Sequence, residues 1–118
     1  MSLDHERFDV YQLALGFHAF AIEVSARVPR GYGETADQLR RAAQSIFLNI
    51  SEGAGKFSRA DKRRYYLSAR GSVNECGGLL DALQQLSVID ESSHRARKHE
   101  LVRMHQMLIR LAQRMEKR

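Results

Sequence analysis

Apolar residues recur along the chain at intervals of three and four, the spacing that gathers side chains on one face of a helix. Val10, Leu13, Phe17, Phe20 and Val24 form the first such stripe, inside a segment running from Asp9 to Val28. Pro29, Gly31 and Gly33 end it, because proline and glycine both oppose continuation of a helix. Thr35 followed by Gln38 reads as a capping box that starts a second helix, carried by Leu39, Ala43, Ile46 and Ile50 as far as Gly53-Ala54-Gly55. Ser58 with Asp61 is a second cap signature, and the stripe Tyr66, Ala69, Val73, Cys76, Leu80 and Leu83 follows it. Taken from Ser58 to Leu86, that third helix measures about 43 Å against about 30 Å for the first, so one end is expected to overhang the other helices. Gly71, Gly77 and Gly78 lie inside it; each weakens a helix by about 1 kcal/mol relative to alanine, which predicts close approach of another backbone. Asp90 caps a fourth helix with the stripe Leu101, Met104, Leu108, Leu111 and Met115. No segment alternates in the manner of a strand. The pattern predicts an all-α, antiparallel up-down four-helix bundle occupying residues 1–118 as one domain.

Composition narrows the class. The 118 residues are 43% hydrophobic and 28% charged, which excludes a disordered chain, and no apolar run approaches the ~20 residues that span a bilayer. Met1-Ser2-Leu3-Asp4-His5-Glu6-Arg7 lacks the basic-then-apolar layout of a secretory signal, so a cytoplasmic protein is expected. The single cysteine, Cys76, has no second thiol to pair with and stands on an apolar stripe, where it reads as core filler.

Charge adds a location. Residues 1–29 carry two basic and four acidic side chains, residues 30–70 nine and four, and residues 71–118 eight and six, so the middle third accounts for the formal excess of +5. Lys56, Arg59, Lys62, Arg63, Arg64 and Arg70 follow Arg40 and Arg41 there. On a helical wheel Arg59, Arg63 and Arg70 fall within about 40° of one another, with Tyr66 at the edge of the stripe. Such a row can contact successive phosphates while the aromatic stacks on a base. A merely solvated basic face fits the same residues.

No catalytic or metal-binding constellation emerges, and no cofactor is expected. His99-Glu100-Leu101-Val102-Arg103 has arginine where a zinc-protease helix needs its second histidine. Glu91-Ser92-Ser93-His94 is a single copy of an element that di-iron bundles use twice. Gly53-Ala54-Gly55-Lys56 and Gly31-Tyr32-Gly33 both lack the preceding strand that a phosphate or dinucleotide loop requires. A different surplus lies on the back of helix one. Tyr11, Leu15 and Ile22, with His18 between them, point roughly 160° from the core stripe, and Leu48 points away from the core on helix two. An apolar row in that position predicts a subunit interface.

Gln38-Leu39-Arg40-Arg41-Ala42, Ser45-Ile46 and Asn49-Ile50-Ser51-Glu52-Gly53, then Tyr66-Leu67 and Ala69-Arg70-Gly71-Ser72-Val73-Asn74-Glu75, resemble the four-helix-bundle proteins encoded in intervening sequences of bacterial 23S ribosomal RNA genes. The resemblance runs from about Phe8 into helix four. That family is in turn similar to the accessory protein of diversity-generating retroelements, a homopentamer with a basic surface. The resemblance therefore implies a homopentamer, with RNA or DNA and a reverse transcriptase as partners and no catalysis. Asn49 and Glu52, beside the helix-two stripe, are expected to serve structure by bonding a neighbouring helix end or an arginine. Phe47-Leu48 stands where relatives usually carry smaller residues or proline.

Overall fold

The protein is described by a computed structural model covering residues 2–116. A short 3-10 turn over Asp4–Arg7 leads into α1 (Asp9–Ser25), α2 (Gly33–Ala54), α3 (Arg59–Gln85) and α4 (Glu91–Glu116). No strand occurs among the described residues. Backbone contacts run α1 to α2, α2 to α3, α3 to α4 and α4 back to α1, and neither diagonal pair approaches closely. The helices thus stand at the corners of a square, and the molecule measures 49 × 24 × 22 Å.

The apolar stripes fill the centre. Phe17, Val24, Leu39, Ile46, Ile50, Cys76, Leu80, Leu83, Met104 and Leu108 are fully buried. Burial pushes the Cys76 thiol up to about 12, with Glu75 adding to the effect, so it is a protonated core side chain. Leu13 and Met115, both placed on core stripes by spacing, pack only at the margin.

The helix ends follow local chemistry, with one exception to the expected caps. Ser58 Oγ accepts from Asp61 N–H at 3.0 Å, and Asp90 Oδ1 accepts from Ser93 N–H at 2.7 Å. Thr35 caps nothing: α2 begins two residues earlier at Gly33, and the Thr35 N–H bonds Tyr32 O at 3.1 Å. The turn Pro29–Tyr32, closed by Tyr32 N–H to Pro29 O, needs positive φ at its third residue, which Gly31 supplies at +99°. It advances the start of α2.

The glycines also depart from expectation. A Cβ on Gly71, Gly77 or Gly78 would meet nothing within 4 Å, so these positions admit no neighbouring backbone. Gly77 and Gly78 instead help form an open groove of about 450 Å³ between α3 and α4. The close approach falls at Gly53, where a Cβ would stand 2.9 Å from both Tyr65 Cβ and Tyr66 Cε1. That glycine sets the crossing of α2 on α3 just before the chain turns through Gly55–Ser58.

Candidate nucleic-acid interface

The nine residues from Lys56 to Arg64 hold five cations and one carboxylate. Their side chains are arranged by the helix ends they adjoin. Lys62 Nζ donates to Ala54 O at 2.8 Å, capping the carbonyl end of α2, where the helix dipole favours a cation. Arg59 Nη1 donates to Arg114 O at 3.1 Å in the last turns of α4. Arg63 reaches the same end through an ion pair with Glu116 at 2.8 Å. Arg59 and Arg63 are therefore drawn toward α4 as well as along their own helix.

Lys56 and Arg64 surround a second feature, the Tyr65 ring. Lys56 Nζ lies 5.2 Å and Arg64 Cζ 4.8 Å from its centroid, distances suited to cation–π attraction. Lys56 also pairs with Glu52 at 3.7 Å and Arg64 with Asp61 at 3.3 Å. Exposed pairs of this kind are worth about 0–1 kcal/mol, so a polyanion can displace them. The turn Asp4–Arg7 and the start of α1 bring Asp4, Glu6 and Asp9 to this end of the bundle. The cations are densest at the α2–α3 connection and the first turns of α3.

Three of the expected contact residues lie elsewhere. Arg40 and Arg41 stand about 20 Å of helix before Ala54, the end of α2. Arg40 is paired with Asp37, and Arg41 borders a shallow depression with Gln44, Leu48 and Asn49. Arg70 is about 16 Å beyond Arg59 along α3 and half-buried, its Nε shielded from solvent with no hydrogen-bond partner.

Tyr66 requires correction. Its ring is only 2% exposed, packs edge-on against Phe8 at 6.5 Å and lies against Gly53, so it cannot stack on a base. Burial pushes its hydroxyl above the ordinary tyrosine value, and Asp4 adds to that. The expected stacking role is incompatible with the core-stripe position that the same spacing gives Tyr66. The aromatics at this surface are Tyr65 and Phe57, and Phe57 is fully exposed at 103%. Tyr65 is one residue off the core stripe, a rotation of about 100°, and Phe57 stands between Gly55 and the Ser58 cap, outside either helix. Both signals are present in the sequence.

The apolar row on α1 is partly used within the chain. Tyr11 and His18 close on Phe47 of α2 edge-on, with centroids 6.5 and 5.0 Å away. They are not left wet, as spacing alone predicted, because Phe47 reaches across to fill the gap between them. Leu15 is half-buried, whereas Ile22 at 47% and Leu48 at 45% remain exposed. Asn49 donates to Ser45 O and Ser45 Oγ, both at 2.9 Å, and Ser72 Oγ donates to Ser45 Oγ at 2.8 Å. Asn49 thus supports an α2–α3 hydrogen-bond network, and Glu52 holds Lys56; neither bonds a neighbouring helix end or an arginine.

A family model described as 23S rRNA-intervening sequence protein matches residues 6–110, which takes in α1 to α3, most of α4 and the basic segment. The chain belongs to this family. A member of the S23 ribosomal protein family from Bacteroides thetaiotaomicron VPI-5482, a crystallised protein of unknown function, superposes with a TM-score of 0.80 at 21% identity. The match covers 88% of this chain and 95% of that one, and at this identity it shows a shared fold. No curated protein matches the chain. Among the described residues no helix is long and apolar enough to cross a membrane, and no His, Cys, Asp and Glu cluster could hold a metal.

Proposed function

We propose that the protein is a nonenzymatic nucleic-acid-binding protein of the cytoplasm that takes RNA or DNA with little sequence preference. The observation that carries this reading is the density of Lys56–Arg64, five cations in nine residues. One of the five, Lys62, donates to a backbone carbonyl, which orients a cation without cancelling its charge. A phosphate backbone meets such a surface by releasing counterions, and contacts of this kind carry no sequence information. An antiparallel course of the four helices belongs to the same reading. It is supported by the meeting of early α3 with late α4 through Arg63 and Glu116, and of late α3 with early α4 through Asp81 and Lys98.

Self-assembly multiplies the surface. Ile22 and Leu48, exposed on neighbouring helices, would serve a closed homo-oligomer, and the resemblance read from the sequence to the retroelement accessory protein would make it five copies. Fluorescence anisotropy with labelled mixed-sequence RNA and DNA at low salt tests the proposal. Binding of either supports it. Absence of binding to both ends it in favour of a scaffold that docks an acidic protein, such as a reverse transcriptase.

A further inference from the structure

Phe57 has no place in a plain bundle. A fully exposed phenylalanine ring keeps all its apolar surface in water, and burial would be favoured by any partner that offered a matching face. It is flanked by Lys56 and the Ser58 cap, and Lys56 is held in position by Glu52 and the Tyr65 ring. A cation therefore stands beside an exposed aromatic on consecutive residues, about 3.8 Å apart at Cα. Arg64 adds a second cation over the same tyrosine.

The geometry points to a single-stranded nucleic acid as the occupant of this loop, with an unpaired base stacked on Phe57 and its flanking phosphates on Lys56 and Arg64. This rests on the nucleic-acid reading above and specifies its substrate as strands with accessible bases. The choice follows from the pairing of features. A strand presents an anion and a planar face at every nucleotide, and every base has a face that stacks, which suits an aromatic without base-reading neighbours. A duplex hides its base faces and would engage the cations alone. A protein partner's hydrophobic anchor sits in a largely apolar, desolvated patch, but lysine and a helix-capping serine border this ring. The four-residue Gly55–Ser58 connection also places the ring clear of both helices, so a base can reach it without displacing core side chains.

The chain has no tryptophan, so Phe57→Trp creates a unique reporter at the tip of the loop. Titration uses the full chain with a roughly twelve-nucleotide mixed-sequence single strand, its duplex and inorganic polyphosphate, alongside vesicles of phosphatidylglycerol and phosphatidylcholine. The expected result is quenching of Phe57→Trp by the single strand and not by polyphosphate. Phe57→Ala should bind the strand about tenfold more weakly, bind duplex and polyphosphate as the wild type does, and keep its helical circular dichroism. Equal strand binding by Phe57→Ala and wild type, without quenching, overturns the stacking and leaves the nucleic-acid reading standing. Wild-type chain that binds neither strand nor duplex overturns both. A blue shift of Phe57→Trp emission on the vesicles, without quenching by the strand, overturns the stacking in favour of a membrane contact.

Discussion

A Cβ on Gly53 would stand 2.9 Å from Cε1 of Tyr66, closer than packed atoms approach. The second obstacle at the same distance, Tyr65 Cβ, is fixed to the α3 backbone, so no side-chain rotation relieves it. Gly53→Ala should therefore force α2 and α3 apart. Overpacking costs about 1–3 kcal/mol, against about 1 kcal/mol returned by alanine's helix propensity. The melting temperature is expected to fall, by roughly 4 °C for each net kcal/mol. An unchanged or raised value would show that the crossing is not set by this contact.

The end of α3 supplies an opposite prediction. Ser87 adopts φ +61°, its N–H bonds Gln84 O, and Val88 N–H bonds Leu83 O, both at 2.9 Å. This is a Schellman motif whose left-handed position normally belongs to glycine. Ser87→Gly should stabilise the fold by about 0.5–1 kcal/mol by removing the side-chain strain, less the entropy that glycine adds to the unfolded chain. A higher urea midpoint with unchanged slope is the expected outcome.

These two positions also mark what spacing can and cannot tell. The stripes on α2 and α3 are legible because a helix facing a core must repeat its apolar residues every three to four positions, and Leu39, Ile46, Val73 and Leu80 all prove buried. Spacing does not say which glycine meets a neighbour. Gly71, Gly77 and Gly78 sit mid-helix facing open space, while Gly53, read only as a helix end, takes the contact. The basic segment was visible as composition, but its division was not. Arg63 turns to Glu116 and Lys62 to Ala54 O because helix ends distant in sequence lie beside them. Tyr66 was given a core role and a surface role together, and only one is compatible with its stripe.

Acid should weaken the α3–α4 contact in a defined way. Hydrogen bonds from Lys98 and then His94 hold the Asp81 carboxyl below its ordinary value of 3.8. Its folded value is thus depressed relative to the unfolded chain. The stabilisation is fully present above that ordinary value and is lost as pH falls through the folded one. Asp81 is well exposed, so Asp81→Asn should cost no more than about 1 kcal/mol near neutral pH. Chemical denaturation should show that difference near neutrality and its progressive loss as pH falls below the ordinary carboxylate value.

Assembly can be separated from folding through Ile22 and Leu48, the two residues of the expected interface that remain exposed. Ile22→Glu combined with Leu48→Glu places charges at positions already about half exposed, so helical circular dichroism should be unchanged. Light scattering should report monomers for the double variant and a closed oligomer for the wild type. A monomeric wild type at tens of micromolar would remove the interface from the account.

Binding through phosphate contacts at Lys56–Arg64 is tested most directly by the salt dependence of RNA affinity. Lys56→Gln with Arg64→Gln is the informative variant, because these cations surround Tyr65 and their partners, Glu52 and Asp61, are exposed carboxylates that a polyanion can displace. For single strands each lost contact flattens the plot of log affinity against log salt by about 0.7, so the pair should flatten it by about 1.4. Wild-type binding that weakens steeply with salt, and a double variant shallower by that amount with unchanged oligomer mass, is the predicted result. Equal slopes for the two proteins, or no wild-type binding at low salt, would contradict it.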